Sequence, residues 1–165
     1  FTGQPSWTER LAEFSNLAVI QTFSKAWGMA NARLGMLYAD PELIRFLNTV
    51  KMPYNVNEHT QQVILQALDH PEKRDAFVRE MNLERVKLEA ELDKLPLVLK
   101  RYPTDANYIL FKVADADKLY EHLVQNGVIV RNRNKAPLCG GCLRVSVGNE
   151  AENRKFIEAM KTYTA

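Results

Sequence analysis

Short apolar runs alternate with longer amphipathic segments along this chain, and the two patterns predict strands and helices respectively. Residues 18–23 and 34–39 are apolar runs of strand length, separated by a segment that contains glycine. Further runs of this kind occur at 97–102, 108–113, 128–133 and 143–147. We therefore expect a mixed α/β protein, in which most of the helical sequence lies between two groups of strands.

Three helices are predicted between these two groups of strands. Asp40 and Pro41 provide an N-cap and a first helical residue for a helix that ends near residue 50. A second helix is expected after Asn57, and a long third helix follows Pro71 and ends near residue 95. The charged residues of the third helix are expected to form a solvated face. Its apolar stripe consists of Phe77, Met81, Leu88, Leu92 and Leu95.

Two more helices are predicted among the C-terminal strands. One covers residues 117–126 and is stopped by Gly127. The other begins with Asn149 and has Glu152 three residues later, which is the spacing of a capping box.

The order of strands and helices predicts three parts of the chain. They are the end of a larger domain (residues 1–52), a helical connector (53–96) and a small α/β subdomain (97–165). Because the chain begins with Phe rather than Met, we expect it to be a piece of a longer protein.

Composition and charge narrow the possible functions. Hydrophobic residues make up 46% and charged residues 25% of the chain, which is ordinary for a globular protein. The net charge is +2, and basic residues are interspersed with acidic ones, so no basic patch predicts a nucleic-acid partner. No apolar run approaches the roughly 20 residues of a membrane span. We therefore expect small-molecule chemistry, with neither nucleic acid nor membrane as a partner.

The two cysteines lie together, as Cys139 and Cys142 on either side of two glycines. A zinc site needs about four ligands, and the three histidines are scattered along the chain, so no metal site is expected. A thioredoxin-like pair would lie at a strand-to-helix junction, whereas this pair precedes a predicted strand. We interpret the segment as a glycine-rich turn with incidental thiols, which in reduced form suit the cytoplasm. A zinc or redox module is the alternative.

Lys25 offers the most specific chemistry, because of the residues around it. A lysine at the end of a buried strand loses water, which lowers its pKa and favours the free amine needed for Schiff-base formation. Ser24 precedes Lys25, and Arg33 precedes the second apolar run; a hydroxyl and a guanidinium are groups that bind a phosphate. Together these groups suggest pyridoxal phosphate. Alternatively, Ser24 and Lys25 could be the nucleophile and base of a hydrolase, or Arg33 a structural ion-pair residue.

The segment from Ser24 to Gly35 resembles the cofactor-lysine motif of the fold-type I pyridoxal-phosphate aminotransferases. The likeness covers nearly all of the chain, and it is to the C-terminal half of the histidinol-phosphate aminotransferases in particular. The other segments that carry it are residues 53–57, 105–110, 127–131 and 141–148. Several motifs in the right order are more specific than any one of them.

The resemblance implies the fold, the cofactor and the reaction. The fold would be the C-terminal part of an aspartate aminotransferase-like transferase: the end of the large-domain sheet, a connecting helix and a small α/β subdomain. Ser24, Lys25 and Arg33 would bind pyridoxal 5'-phosphate, with Lys25 as the catalytic residue. The substrates would be glutamate and histidinol phosphate, and the whole enzyme a cytoplasmic homodimer. The family residues that hold the cofactor ring are absent here, so we expect the chain alone to be inactive.

The substrate-binding residues are also assigned by resemblance. Arg144 matches the arginine that binds the amino acid's α-carboxylate, and Arg131, on an adjacent strand segment, matches the arginine for the substrate phosphate. Arg133 could share the role of Arg131, and Asn107 is a possible substrate contact. From the residues alone, Arg144 could instead pair with a protein carboxylate, Arg131 could be an exposed strand-end arginine, and Asn107 could close a turn.

Two hypotheses compete with this function, apart from the zinc or redox module. One is a related enzyme, either an aminotransferase acting on aromatic or other amino acids or a threonine-phosphate decarboxylase. The other is a noncatalytic module in which Lys25 and Arg33 bind a phosphorylated ligand without Schiff-base formation.

Overall fold

The computed structural model describes residues 1–164, which form two compact units. One unit is Thr2–Phe77, and the other consists of Phe1 and the residues from Val78 onward. The boundary lies within a long helix, inside the segment 53–96 that the sequence predicts to be a connector.

The first unit contains a two-stranded antiparallel sheet. Its strands are β1 (Ala18–Thr22) and β2 (Gly35–Ala39), and the register pairs Thr22 with Gly35 at the end where β1 leaves the sheet. A 3-10 helix precedes each strand: Trp7–Glu13 comes before β1, and Ala30–Ala32 comes before β2. Both strands agree with the sequence prediction to within one residue.

Two helices of the first unit begin at the capping residues predicted from sequence. In α1 (Pro41–Val50), the side chain of Asp40 accepts a hydrogen bond from the Glu42 backbone N–H at 2.8 Å. In α2 (Glu58–Leu68), Asn57 accepts from the Thr60 N–H at 2.8 Å. Such caps satisfy backbone donors that have no partner within the helix. The long helix α3 (Pro71–Asp93) follows and carries the chain across the unit boundary.

The second unit is built on a four-stranded antiparallel sheet with the order β3-β4-β6-β5. Its strands are β3 (Lys100–Arg101), β4 (Tyr108–Lys112), β5 (Arg131–Asn132) and β6 (Cys142–Ser146). Two helices complete the unit, α4 (Ala116–Gln125) and α5 (Glu150–Lys161). The capping box at Asn149 and Glu152 is present, as predicted.

Strands β3 and β5 are shorter than the sequence predicts, because neighbouring backbone groups bond to helix ends and turns. The Val98 N–H donates to Leu95 O at 3.0 Å, in the turn that follows α3. Likewise, the Val128 N–H donates to Leu123 O at 2.9 Å, after Gly127 ends α4 with a positive φ of 68°. Leu97, Val98 and Val128, beside these strands, therefore pack on the core without joining the ladder.

One face of the sheet, the two helices and the part of α3 that belongs to this unit enclose the core. The side chains that are at most 3% exposed include Leu88, Leu92, Ile109, Phe111, Leu119, Leu123, Leu143, Phe156 and Met160. Burying each such side chain contributes about 1.5–3 kcal/mol. This core supports β6, which carries Arg144, and β4, which begins directly after Asn107.

Glu84 departs from the prediction that the charges of α3 form a solvated face, because it is only 7% exposed. Its carboxylate accepts hydrogen bonds from Lys87 Nζ at 2.7 Å and Asn153 Nδ2 at 3.0 Å. The bond from Lys87, with help from Asn153, lowers the pKa of Glu84 despite its burial. Asn153 also accepts from the Gly148 N–H and donates to Gly148 O, both at 2.9 Å. The network therefore joins α3, α5 and the loop after β6.

Candidate active site

Lys25 lies in a tight turn that follows β1. The Gly28 N–H donates to Lys25 O at 2.9 Å and the Met29 N–H donates to Phe23 O at 3.0 Å, so the segment closes on itself. Gly28 takes a positive φ of 66°, which glycine adopts without strain. Phe23 anchors the turn, being 1% exposed, with its ring centroid 5.5 Å from that of Trp27. A buried aromatic residue thus fixes the backbone that carries Lys25.

The expectation that Lys25 is withdrawn from water is wrong for the described residues. Lys25 is exposed, because it lies in a turn after β1, a strand whose own residues are alternately exposed. The apolar run before it indicates a strand correctly, but the burial inferred for the lysine does not follow from that strand. Its role as an amine nucleophile stays a prediction, based on its motif.

Ser24 and Arg33 leave the sheet at the same end. The Phe23 N–H donates to Leu34 O at 3.3 Å, one step beyond the last register pair of β1 and β2. Ser24 follows Phe23 and Arg33 precedes Leu34, so the two residues flank this hydrogen bond. Ser24, Lys25 and Arg33 therefore all lie just beyond the same end of the sheet.

Arg33 adopts a backbone conformation that is unusual for its residue type. Its φ and ψ are 50° and 36°, in the left-handed region, directly after the 3-10 helix that ends at Ala32. Its Nη1 donates to Ala30 O at 3.0 Å. Within residues 1–164 it has no acidic partner at ion-pair distance. A structural ion pair therefore does not account for this arginine, and its exposed donors suit an anion.

Arg144 lies in the middle of β6 and lacks a protein carboxylate partner among the described residues. Its Nε atom is buried without a hydrogen-bond partner, which is costly in a folded protein. The guanidinium carbon lies 4.8 Å from the centroid of the Tyr108 ring, a cation–π arrangement. The contact with Tyr108 holds the guanidinium plane, and its two Nη groups have no hydrogen-bond partner among the described residues. Of the two alternatives that the sequence leaves open, this geometry favours a ligand-binding arginine.

Arg131 and Arg144 are direct cross-strand partners in the β5–β6 ladder. Like charges that face each other across a ladder are destabilising unless an anion lies near them. Arg131 is exposed, and in the described part of the chain neither arginine forms a salt bridge. The predicted adjacency of the two strands is confirmed, and the register creates a site with two positive charges.

The remaining predicted residues lie around this sheet. Arg133 follows the end of β5, and its N–H donates to Cys142 O at 2.9 Å. Asn107 precedes β4, and its carbonyl accepts a hydrogen bond from the Val147 N–H at 3.0 Å. Both backbones are therefore fixed by β6 or by the residue that follows it. In residues 1–164 no cluster of three or more His, Cys, Asp or Glu side chains could hold a metal ion, and every helix there is too short or too polar to cross a lipid bilayer.

Tyr108 is not among the site residues predicted from the sequence, although it lies in a segment that carries the resemblance. The register pairs Tyr108 with Ser146 and Leu110 with Arg144, so Tyr108 is a diagonal neighbour of Arg144 on the same sheet face. The period-2 pattern of each strand shows which residues share a face. The pairing of β4 with β6 is the additional information that brings these two side chains together.

Comparison with protein families gives a match over most of the chain. Residues 3–160 match the family model described as aminotransferase class I and II. The chain is 45% identical to a histidinol-phosphate aminotransferase of Cytophaga hutchinsonii and 47% identical to one of Bacteroides fragilis, in each case over 99% of the chain. It covers 47% of either protein, so it spans about half the length of these curated relatives.

Solved structures show the same fold. A histidinol-phosphate aminotransferase from Clostridium acetobutylicum matches with a TM-score of 0.89 at 23% identity, covering 98% of this chain and 50% of that one. The L-threonine-O-3-phosphate decarboxylase from Porphyromonas gingivalis matches at 0.83 and 21% identity, over 94% and 49%. A histidinol-phosphate aminotransferase from Sinorhizobium meliloti, solved in complex with pyridoxal-5'-phosphate, matches at 0.80 and 20%, over 94% and 44%. The expected fold, the C-terminal part of a pyridoxal-phosphate-dependent transferase, is confirmed.

Proposed function

The chain belongs to the class I and II aminotransferase family. We therefore propose that the protein containing it transfers an amino group from histidinol phosphate to 2-oxoglutarate, and that the 2-oxoglutarate becomes glutamate; the reverse reaction uses the same site. The observation that carries the proposal is the unpartnered Arg144 directly opposite Arg131. Histidinol phosphate carries a phosphate and glutamate carries carboxylates, so each substrate has an anionic group. The two arginines provide hydrogen-bond donors for that group. The sequence identity to histidinol-phosphate aminotransferases supports the choice of histidinol phosphate as substrate.

The two arginines explain how one site could accept two different anions. Glutamate has a planar carboxylate on its α-carbon, which suits bidentate binding by one guanidinium. Histidinol phosphate carries a phosphate ester on the carbon that corresponds to that carboxyl carbon, so its anion is larger and reaches further. We assign the carboxylate to Arg144, and the phosphate to Arg131, which lies across the ladder. Asn107, held by the Val147 N–H, is assigned to the same end of the substrate.

The residues of the first unit fit pyridoxal 5'-phosphate by the chemistry of their donors. Arg33 presents a guanidinium without an acidic partner among the described residues, and Ser24 adds a hydroxyl beyond the same end of the sheet. These groups would hold the phosphate of the cofactor, while the exposed Lys25 amine is available to its aldehyde. The bound cofactor would supply a carbonyl that captures the amino group and a ring that withdraws electrons from the substrate α-carbon.

Lys25 and the arginines then have separate tasks in the proposed reaction. Lys25 Nζ would take the proton from the substrate α-carbon and return it on the cofactor side, as a general base and then a general acid. Arg144 and Arg131 would fix the anionic end of the substrate, which determines which bond at the α-carbon is aligned for cleavage. Arg33 and Ser24 would keep the cofactor in place throughout.

Reduction with borohydride tests the proposal most directly. The full-length protein is incubated with pyridoxal phosphate, reduced, digested and analysed by mass spectrometry. We expect a covalent pyridoxyl group on Lys25, and none at this site in the Lys25→Arg variant, which keeps the positive charge but is not a primary amine. A Lys51→Arg variant, changed at an exposed lysine beyond the site, is the matched control and should be labelled at Lys25 like the wild type. Unlabelled Lys25 in the wild type would instead support the noncatalytic phosphate-binding module.

A threonine-phosphate decarboxylase is the second candidate, favoured by the fold match to such an enzyme. A substrate phosphate near Arg131 suits both reactions, so the assay has to separate them. Supplying threonine phosphate should give no carbon dioxide if the transamination proposal holds, whereas histidinol phosphate with 2-oxoglutarate should give glutamate. Phenylalanine as the amino donor tests for an aromatic aminotransferase in the same way.

The finer features expected from the family also belong to this proposal. We propose a homodimer and a cytoplasmic location for the full-length enzyme. We also expect the 165-residue chain alone to lack substantial turnover, because by resemblance the groups that hold the cofactor ring belong to the part of the relatives that it does not cover. An assay of the isolated chain beside the full-length protein checks this.

A further inference from the structure

Cys139 and Cys142 lie at the two ends of one hydrogen-bonded turn in the second unit. The Cys142 N–H donates to Cys139 O at 2.9 Å, which closes the turn. Gly141 has a positive φ of 77°, and a Cβ added there would lie 2.8 Å from the carbonyl oxygen of Val113. Only glycine satisfies both conditions. The local sequence therefore specifies the conformation that brings the two cysteines together.

Hydrogen bonds to three neighbouring residues hold this turn in place. The Gly141 N–H donates to Asn134 Oδ1 at 2.8 Å, and Gly141 O accepts from the Val113 N–H at 2.9 Å. Cys142 O accepts from the Arg133 N–H at 2.9 Å. A turn of four residues keeps its terminal Cα atoms within about 7 Å, and disulfides need a separation of about 4.4–6.8 Å. The backbone is therefore organised in advance for a cross-link between its ends.

The two thiols differ in their access to solvent. Cys142 is 1% exposed, with its Sγ 3.9 Å from Gly140 O, so the thiol lies over the turn. Cys139 is partly exposed. One thiol is thus accessible and the other is buried beside it.

We propose that Cys139 and Cys142 form a reactive dithiol, which a small-molecule disulfide oxidises to an intramolecular disulfide. Cys139 is the attacking residue and Cys142 the resolving residue. This modification goes beyond the proposed function and does not depend on it, because neither cysteine has a task in transamination.

The reaction balances as two thiol–disulfide exchanges. The Cys139 thiolate attacks one sulfur of the small disulfide, whose S–S bond breaks and releases one thiolate. The Cys142 thiolate then attacks the Cys139 sulfur, forms the new S–S bond and releases the second thiolate. The two cysteine sulfurs lose two electrons in total, and the small disulfide gains them. The two protons from the cysteines end on the two released thiols.

The test uses the full-length protein and glutathione disulfide under native conditions. Samples are blocked with an alkylating reagent at increasing times and digested with trypsin. Cleavage after Lys135 and Arg144 releases one peptide that contains both cysteines, so its mass reports the state of the pair. In the wild type we expect this peptide to lose two hydrogens without retaining glutathione, and dithiothreitol should restore the free thiols.

Single variants separate the two roles. Cys142→Ser should accumulate one glutathione on Cys139, because the resolving thiol is absent. Cys139→Ser should react at least about tenfold more slowly, since its remaining thiol is buried. In urea this difference between the variants should disappear, which shows that it arises from burial in the folded protein.

Three results would overturn the proposal. The first is a stable glutathione adduct on Cys139 of the wild type without the internal disulfide. The second is a Cys139→Ser variant that reacts as fast as Cys142→Ser under native conditions. The third is a folded wild type whose peptide stays fully reduced while the urea-unfolded protein reacts.

Discussion

Replacing Arg144 by lysine tests the role of the unpartnered guanidinium. The substitution keeps the positive charge but removes one of the two parallel hydrogen bonds that an arginine makes with a carboxylate. A hydrogen bond to a charged group is worth about 1.5–3 kcal/mol. Because Arg144 is only partly buried, solvent screening favours the lower end of this range. A loss of about 1.5 kcal/mol corresponds to a fall of roughly tenfold in kcat/KM for glutamate.

The assay measures the glutamate half-reaction of the full-length enzyme, followed by the change in cofactor absorbance. Arg154→Lys is the matched control, because Arg154 is an exposed residue of α5 in the same unit and has no assigned contact with substrate. We expect the control to keep the wild-type kcat/KM. A second variant, Tyr108→Leu, removes the ring 4.8 Å from the guanidinium and should cost about 0.5–1 kcal/mol, or roughly two- to fivefold.

An Arg144→Lys variant that retains kcat/KM for glutamate within about twofold of the wild type would contradict bidentate carboxylate binding by Arg144. That result would mean that the buried Nε and the missing acidic partner have another cause. Thermal unfolding of the variant, compared with the control, checks that a loss of activity does not come from a loss of folded protein.

Three more substitutions test other parts of the structure in the full-length protein. Arg131→Leu should raise KM for histidinol phosphate by about tenfold and change KM for glutamate less, because the phosphate is the anion assigned to Arg131; equal changes for both substrates would argue against that assignment. Glu84→Gln should lower the free energy of unfolding by about 1–3 kcal/mol near neutral pH, whereas Glu80→Gln, on the exposed side of α3, should not. Because the pKa of Glu84 is lowered in the folded state from its ordinary value of 4.5, its stabilisation is present above that value and is lost as the pH falls through the folded-state pKa. Urea unfolding should therefore show the difference between wild type and Glu84→Gln shrinking in acid, and a constant difference would contradict the role of the charge. Gly141→Ala should cost about 2 kcal/mol or more, from its positive φ and the contact with Val113 O, while Gly140→Ala, with open space around its Cβ, should unfold at nearly the wild-type temperature.

Most elements of the fold follow from local sequence signals. Asp40, Asn57 and Asn149 each cap the helix that the sequence places after them, since capping depends on residues only two or three positions apart. Strands β3 and β5 were predicted too long, because the hydrogen bonds that shorten them are made with helix ends. An apolar run alone does not show where its backbone groups find partners.

The candidate site depends more strongly on long-range pairing. The motif around Lys25 and the arginines Arg131 and Arg144 can be recognised in the sequence, but the facing register of the two arginines and the ring of Tyr108 come from the sheet. The burial of Glu84 could not be seen either, because its partner Asn153 is far away in the sequence. Lys25 is the opposite case, because the sequence predicts it to be buried and the structure shows it exposed. An apolar strand does not determine whether the residue after it is covered by other parts of the protein.

The left-handed backbone at Arg33 sets the requirement for stability against the requirement for catalysis at one position. A side chain other than glycine pays about 1–2 kcal/mol there, so a laboratory selection for thermostability alone should replace Arg33 with glycine, whereas a selection for catalysis in the whole enzyme should retain arginine. Sequencing the survivors of both selections from one library would reveal which pressure has kept the cation at this position.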